Sequence, residues 1–243
     1  MKSKAATLAI TLFVLVSFKV LYGQDGNTLL QAAIVFSDSL AGKDMQLFNG
    51  RVYTPEHSRA KGYPFLGTSE WKTGMVMYSR QTYVPVELLY DVFRDQLLIL
   101  DRSDDGSVNY LVLNPEMTDR FRMDGQDFIN LGYANRLADE QERGYYELLY
   151  EGKASLVVRW TKTFDDARSQ KTPFGGYREE KRSRYIWHGQ ALHRVTNRNS
   201  LLRILGDQRD AIRKYLDENN INITLATDEE ITRALKRYDE LSE

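Results

Sequence analysis

Residues 74–91 of the chain read GMVMYSRQTYVPVELLYD, and this stretch decides the fold. Apolar side chains recur there at every second position, at Val76, Tyr78, Val84, Val86, Leu88 and Tyr90. A period of two is typical of β-strands with one buried face, because successive side chains of a strand point to opposite sides. The stretch therefore predicts strands that turn one face towards a core.

Similar patterns follow at short intervals along the chain. Leu97–Leu100 and Tyr110–Leu113 are apolar runs separated by turn-forming residues, and four further apolar side chains extend the pattern, Phe121, Met123, Phe128 and Ile129. Residues 145–161, YYELLYEGKASLVVRWT, predict a hairpin with Tyr146, Leu148 and Tyr150 on one side and Leu156, Val158 and Trp160 as their counterparts. Connections this short favour antiparallel neighbours, since parallel strands need long crossovers.

The last part of the chain changes from strand to helix. Residues 185–187 and 191–195 predict a final strand pair around the His188-Gly189 turn. Beyond Asn197 we expect a turn capped by Ser200, then a helix opened by Asp207 with Ile212, Tyr215 and Leu216 on its buried side. Thr227-Asp228-Glu229-Glu230 matches a capping box, and Ile231, Ala234, Leu235, Tyr238 and Leu241 follow at helical spacing.

These patterns predict a mainly β protein of the α+β class. We expect an antiparallel meander forming a partial barrel or sandwich, with two C-terminal helices over an edge or an open face. Residues 24–243 are predicted to form a single β-rich domain, with the meander in residues 24–197 and a helical segment in residues 198–243.

Residues 1–23 are typical of a signal peptide. Lys2 and Lys4 precede an uncharged stretch of 14 residues, Ala5–Phe18, and Leu21-Tyr22-Gly23 offers a small residue at the cleavage position. The uncharged stretch is shorter than the ~20 apolar residues of a membrane-spanning helix. We therefore expect export to the periplasm or the extracellular space, with cleavage near Gly23 and no lipid anchor, because the chain has no cysteine.

Composition excludes several classes of function. Without residues 1–23 the chain has 30 basic and 34 acidic residues and a net charge of −4, and no clustered basic face predicts nucleic-acid binding. The absence of cysteine excludes a thiol nucleophile and thiolate metal ligands. The 15 Tyr, 10 Phe and 3 Trp are what strands with half-buried faces use, although they also suit a carbohydrate-stacking surface.

Two polar stretches interrupt the strand pattern, and the first predicts a long ordered loop and the second a mobile loop or a protruding hairpin. Residues 55–73 and 164–184 combine charge, Gly and Pro with isolated aromatic residues. Loops of this length within a domain are often functional, so both are candidate regions. Residues 27–41 favour a short helix, and Asn49-Gly50 favours a hairpin turn.

Motifs for metals and covalent catalysis are weak. The Asp101–Gly106 stretch has the oxygen spacing of a calcium loop, but Val112 stands where that loop has its bidentate Glu, so a turn is favoured. His57, His188 and His193 lack the ligand spacing of a zinc site. No G-x-S-x-G elbow, phosphate loop or dinucleotide fingerprint occurs, so no metal, no cofactor and no catalytic residue is predicted.

Three acids and one basic-aromatic cluster are the candidate functional residues. Asp91, Asp95 and Glu147 are associated with strands and are the first acids to test for a carboxylate pair. The basic-aromatic cluster consists of Tyr177, Arg178, Arg182, Arg184, Tyr185 and Trp187, with Lys181 beside them. Arg and aromatic residues are enriched at interfaces, so these six residues are the predicted binding residues, and a solvated loop is the alternative.

The chain resembles uncharacterised exported proteins of Bacteroidota. The resemblance rests on the signal peptide, Leu47-Phe48-Asn49-Gly50, YVPVELLYD at residues 83–91, RGYYELLYEGKASLVVRWTK at residues 143–162, and the tail of a strand pair and two helices. It implies a Gram-negative envelope, with periplasmic or surface placement. It implies no activity and no catalytic residues.

We therefore expect a non-catalytic envelope protein that binds a protein, a lipid or a glycan. One alternative is an envelope hydrolase whose carboxylates come from separate strands, which two converging buried acids would indicate. Another alternative is a structural accessory of an outer-membrane assembly, which a large flat apolar patch on the helices would indicate.

Overall fold

The computed structural model describes residue 47 and residues 50–102, 106–132 and 142–242. Four sequence predictions fall wholly or partly outside the described residues. They are the signal peptide, the helix in residues 27–41, the turn at Asn49-Gly50 and the turn at residues 101–106.

The described chain is mainly β, with helices at its C-terminal end. The strands are β1 (Arg51–Val52), β2 (Lys72–Tyr78), β3 (Gln81–Asp91), β4 (Gln96–Arg102), β5 (Val108–Val112), β6 (Thr118–Met123), β7 (Gln126–Leu131), β8 (Gly144–Tyr150), β9 (Ala154–Thr161), β10 (Phe164–Asp165), β11 (Gly176–Tyr177), β12 (Lys181–His188) and β13 (Ala191–Arg194). The helices are α1 (Arg198–Ile204), α2 (Arg209–Glu218) and α3 (Asp228–Leu241). Short 3-10 turns lie at Pro115–Met117 and Gly206–Gln208.

Eleven of these strands form one antiparallel sheet in the order β1-β5-β4-β3-β2-β6-β7-β8-β9-β12-β13. Strands β10 and β11 form a separate two-stranded ribbon. Most sheet neighbours are also neighbours in sequence, as short connections require. The predicted antiparallel meander is confirmed, and within the described residues the sheet stays open, with β1 and β13 at its two edges.

The first part of the sheet curls around a core that we call the aromatic core. Tyr90 on β3 and Tyr145 on β8 have ring centroids 5.7 Å apart, although three strands separate β3 from β8 in the sheet order. Four strand spacings in a flat sheet would span about 19 Å. Phe121 and Phe128 stack between these strands at 4.6 Å, so the four rings fill the concave side of the curl.

The same face of the sheet is covered by helices further along, in what we call the helix core. Ala154, Leu156 and Ile186 on β9 and β12 pack against the three helices. The helices, together with the C-cap residue of α1, contribute Leu201, Leu202, Leu205, Ile212, Leu216, Ile231, Ala234, Leu235 and Tyr238, all of them buried. No helix in the described part of the chain has both the length and the apolar character needed to cross a membrane.

Two register shifts change which side chains reach the core. Gly74 pairs with Val86 whereas Val76 pairs with Tyr83, so β3 carries one extra residue at this bulge. As a result Tyr83 is buried in the aromatic core and Val84, predicted to be there, is only partly buried.

The second shift lies in β8. Leu148 pairs with Val157 but Tyr150 pairs with Leu156, so Tyr150 lies on the opposite face from Tyr146 and Leu148. The predicted grouping of these three side chains on one face is therefore wrong for Tyr150. The predicted counterparts Leu156 and Val158 lie opposite Tyr150 and Glu147 and not opposite Tyr146 and Leu148. Pattern reading assumes an unbroken period of two, and a bulge interrupts it.

The helix boundaries differ slightly from the prediction. Asn197, not Ser200, is the N-cap of α1, and Ser200 completes a capping box as its third residue. Asp207 lies in a 3-10 turn before α2, which begins at Arg209. The capping box of α3 is confirmed, since Thr227 accepts from the N–H of Glu230 and Glu230 accepts from the N–H of Thr227.

Candidate functional site

The two predicted long loops, about a hundred residues apart in sequence, meet at one end of the curled sheet. The N–H of Lys61 donates to the carbonyl of Gly175 at 3.1 Å, and the N–H of Tyr177 donates back to the carbonyl of Lys61 at 2.9 Å. The first loop is also tied to the sheet, because Leu66 donates to Tyr90 and Val92 donates to Pro64. The loops are therefore held by backbone hydrogen bonds, which gives them a defined geometry.

Lys162, directly after β9, holds this junction together. Its side chain is 6% exposed, and Nζ donates to the carbonyls of Phe65 at 2.6 Å and Tyr63 at 3.3 Å. The same nitrogen lies 3.1 Å from a carboxylate oxygen of Glu180 and 4.4 Å from the centroid of the Tyr63 ring. An ammonium group has three N–H donors, so all of them have partners and Lys162 positions both loops.

An aromatic cluster lies next to this junction. The His57 ring stacks on Phe164 at 3.7 Å and 9°, and Tyr177 packs edge-on against Phe164 at 5.3 Å and Phe93 at 5.4 Å. Burial in this cluster raises the pKa of the Tyr177 hydroxyl, and the nearby Asp91 charge adds to the rise. Tyr177 is therefore a neutral hydroxyl group at neutral pH.

A cleft of about 390 Å³ opens between the two loops, and we call it the loop cleft. Its walls consist of Gly62, Tyr63, Gly67, Lys162, Tyr177, Arg178, Glu179 and Glu180. Two cations and two carboxylates balance, so the cleft has no net charge. It offers hydrogen-bond acceptors at the acids, donors at Arg178, and two tyrosine rings, which suits a neutral ligand with many hydroxyl groups.

The predicted binding residues divide among three environments. Tyr177 and Arg178 line the loop cleft, and Arg178 also pairs with Asp165. Residues 181–184 end the stretch predicted to be a mobile loop or a protruding hairpin, and in the structure they belong to β12, whose side chains alternate between the two faces of the sheet. The six residues therefore do not form one surface.

Arg182 and Arg184 bind the N-terminal end of α3. Arg182 forms a two-pronged ion pair with Asp228 and lies 5.6 Å above the Trp160 ring, and Nε of Arg184 donates to Asp228 at 2.9 Å. Burial would raise the pKa of the Asp228 carboxyl, but the hydrogen bond and charge of Arg182, together with Arg184, hold it below its ordinary value. These arginines connect the helix to the sheet.

Tyr185 and Trp187 lie on the opposite face of the sheet. They are partly buried against a cluster of Ile129, Leu131, Tyr146, Val157 and Leu192. Tyr185 packs edge-on against Tyr146 at 5.8 Å. Both aromatic side chains therefore have a packing role in the fold.

Asp91 ends β3 and is completely buried. Its carboxylate accepts from the Tyr53 hydroxyl at 2.8 Å, from the N–H groups of Phe93 and Arg94 at 3.0 and 2.9 Å, and from Arg94 Nε at 3.3 Å. A side-chain carboxylate that accepts from the following N–H groups stabilises a turn. Asp91 thus builds the β3–β4 hairpin.

Asp95 and Glu147 are held by other partners. Asp95 accepts from the Tyr90 hydroxyl at 2.6 Å, with Arg159 at 3.6 Å, and burial raises its pKa above the ordinary value despite both of these groups. Glu147 accepts from Gln126 at 3.0 Å and from the Trp160 indole N–H at 2.8 Å. Each of the three candidate acids is therefore engaged in a hydrogen-bond network that connects strands or turns.

The three histidines lie in different places. His57 belongs to the aromatic cluster, and Nδ1 of His188 lies 3.0 Å from the carbonyl of Lys153. His193 on β13 pairs with Ile186 on the neighbouring strand β12. Among the residues that the structure describes, no group of three or more His, Cys, Asp or Glu side chains is placed to hold a metal ion.

Sequence reasoning missed most of the loop cleft. Tyr63, Lys162, Glu179 and Glu180 were not among the predicted binding residues, although three of them lie in the two loops identified as candidate regions. A lysine directly after a strand is typical of a solvated strand end, so no pattern in the sequence distinguishes Lys162.

Comparison of the chain with protein-family models, curated proteins and solved structures found no match.

Proposed function

We propose that the protein is an exported, non-catalytic binding protein of a bacterial envelope and that its loop cleft binds a glycan. The observation that carries this proposal is the charge-balanced, hydrogen-bonding lining of a cleft with two tyrosine rings. A sugar hydroxyl both donates and accepts hydrogen bonds, so it is complementary to a wall that mixes carboxylates and a guanidinium group. A strongly charged ligand of either sign would meet groups of its own charge in the cleft, because the lining contains both cations and carboxylates.

Specific groups of the cleft remain available to a ligand. Lys162 is saturated by its own partners, but Glu179 is exposed and Arg178 has N–H groups beyond the one that binds Asp165. Glu180 uses one carboxylate oxygen on Lys162. We expect Glu179 to accept from a sugar hydroxyl, Arg178 to donate to one, and Tyr63 or Tyr177 to contact the apolar face of a sugar ring.

The size of the cleft favours a short segment of a glycan. Its volume of about 390 Å³ is at the lower end of the ~300–1,000 Å³ range of small-molecule sites. The backbone hydrogen bonds and Lys162 hold both walls before a ligand arrives, which reduces the ordering cost of binding.

Export supports this function because glycans are abundant outside the inner membrane. The proposal of export rests on the pattern of residues 1–23 and on the resemblance to exported proteins. N-terminal sequencing of the protein recovered from a Gram-negative host tests it. A start at or near Gln24 is expected, and an intact Met1 in a cytoplasmic fraction would contradict it.

Glycan binding is tested with an array of neutral bacterial and plant oligosaccharides, followed by calorimetry with the best ligand. We expect saturable binding that Glu179→Ala weakens about tenfold or more, the effect of losing a hydrogen bond to a charged group. Glu70→Ala is the matched control, since Glu70 is an exposed acid of the same loop region outside the cleft lining.

Two results would contradict the proposal. One is an array without saturable binding, and the other is an equal loss of affinity in Glu179→Ala and Glu70→Ala. Release of new reducing ends from a bound oligosaccharide would instead support the hydrolase alternative.

A further inference from the structure

A second and larger concave surface lies between α2 and α3, and we call it the helix groove. Its volume is about 710 Å³. It is lined by Ala211, Lys214, Tyr215, Glu218 and Asn219 on the side of α2, and by Arg233, Lys236, Arg237, Glu240 and Leu241 on the side of α3. These residues recur every three or four positions, so they follow one stripe along each helix.

Three of the residues that line the groove are apolar or aromatic. Tyr215 and Leu241 pack against the helix core but remain partly exposed, and Ala211 is partly exposed as well. A small residue and two partly exposed apolar side chains leave room for an apolar side chain of a partner. The stripe on α3 runs from Arg233 to Leu241 and extends over about 12 Å, which corresponds to just over two turns of a docked helix.

The walls of the groove are basic, although the whole chain has a net charge of −1. Of its four cations, Lys214 pairs with Glu218 at 3.7 Å and Arg237 pairs with Glu240 at 2.9 Å. Within the described residues, no carboxylate lies within ion-pair distance of Arg233 or Lys236. The two acids are thus neutralised by neighbours on their own helices, and two cations remain to attract an anionic partner.

We propose that the helix groove docks an acidic amphipathic helix of a partner protein. An apolar side chain of the partner contacts Tyr215 and Leu241, and its carboxylates face Arg233 and Lys236. A groove lined both by partly exposed apolar side chains and by charged ones matches the way amphipathic helices bind, with apolar side chains inward and charges at the rim. An anionic bilayer fits less well, because Glu218 and Glu240 stand on the same rims.

The proposal is tested with a fluorescein-labelled peptide of Leu, Ala and Glu, in which Leu recurs every three or four residues and Glu flanks each Leu. Fluorescence anisotropy with the chain from residue 24 onwards is expected to show saturable binding. The double variant Arg233→Glu/Lys236→Glu is expected to bind at least about fivefold more weakly, since reversing two rim charges replaces attraction by repulsion. A peptide with Lys in place of every Glu is expected to bind more weakly than the acidic peptide.

The matched control is Arg168→Glu/Lys171→Glu, which changes the net charge equally at exposed positions far from the helices in sequence. Circular dichroism and thermal unfolding establish that both double variants are folded. The proposal is overturned if the acidic peptide does not saturate, if both double variants lose affinity equally, or if vesicles of anionic phosphatidylglycerol bind and the peptide does not.

Discussion

One face of the sheet is covered in two different ways. In the aromatic core the sheet curls until Tyr90, Phe121, Phe128 and Tyr145 fill its concave side. In the helix core the sheet side chains are smaller, with Ala154, Leu156 and Ile186 covered by three helices. Large rings from neighbouring strands can meet over a strongly curled sheet, whereas small aliphatic side chains leave a surface on which a helix layer can pack.

The two cores are joined by polar contacts along β9 and β12. Trp160 packs against the aromatic core, donates to Glu147 and lies beneath Arg182. Arg182 and Arg184 in turn bind Asp228 at the start of α3. This connection leads us to expect that the two halves unfold together.

The largest expected effect is at the centre of the aromatic core. Phe121→Ala removes a ring that stacks on Phe128 and is 1% exposed, and it is expected to lower the free energy of unfolding by about 3–5 kcal/mol. Urea denaturation followed by tryptophan fluorescence and circular dichroism measures the change. A loss below about 1 kcal/mol would mean that the curl does not depend on this packing.

A truncated side chain in the helix core is expected to cost somewhat less stability than one in the aromatic core. Leu235→Ala removes a completely buried aliphatic side chain of α3 and is expected to cost about 2–4 kcal/mol. Fluorescence and circular dichroism should give coincident transitions for this variant, because the two cores share one sheet. Loss of the helical circular dichroism signal at lower urea than the fluorescence change would show that the helices unfold separately. The two cores would then be independent folding units.

The next largest expected effect is at the junction of the two long loops, which Lys162 holds together. Lys162→Met keeps the apolar part of the side chain but leaves the carbonyls of Tyr63 and Phe65 and the carboxylate of Glu180 without their donor. We expect a loss of about 1–3 kcal/mol and faster proteolysis within both long loops. Lys171→Met is the control at an exposed position. Equal proteolysis rates in the two variants would show that Lys162 does not hold the loops.

The smallest expected effect concerns the connection between the halves. Asp228→Asn removes the charge that binds Arg182 and Arg184 and is expected to cost about 1 kcal/mol at neutral pH, since the pair is partly exposed to solvent. The folded pKa of Asp228 lies below its ordinary value of 3.8, so the stabilisation is complete above that pH. It is lost as the pH falls through the lowered pKa, because the folded carboxyl is then protonated as well.

Urea titrations of the wild type and Asp228→Asn between pH 2 and pH 7 measure this difference. The two proteins should differ most above about pH 4 and converge towards pH 2. A constant difference over the whole range would contradict a contribution from the Asp228 charge. Glu229→Gln, a change at the adjacent position of the same helix turn, is the matched control.

Much of the fold can be predicted from local patterns. The strands of residues 74–91 and 145–161 and the capping box at Thr227 depend on side-chain periodicity and on hydrogen bonds within a few residues, and the structure contains all of them. The bulges that bring Tyr83 to the core and move Tyr150 to the other face are not visible in this way. A bulge depends on the register with a partner strand, which the strand's own sequence does not contain.

The candidate site was less predictable than the fold. Charge and Gly content identified both loops, and the structure places the adjacent residues Tyr177 and Arg178 in the lining of the loop cleft. The sequence groups Arg182 and Arg184 with Tyr185 and Trp187. In the structure β12 directs the two arginines to one face of the sheet and the two aromatic residues to the other. Lys162 acquires its role only because the first loop crosses the end of β9.

The sequence by itself determined the antiparallel strands, the helical tail with the capping box of its last helix and the position of both loops, because these follow from periodicity, turn chemistry and local hydrogen bonds. The tertiary structure decided how far the sheet curls, which face each arginine of β12 reaches and that the two loops form one cleft. These features depend on contacts between residues that are distant in the chain, as between Tyr90 and Tyr145 or between Tyr63 and Lys162. Only the packing of the whole sheet brings such residues together.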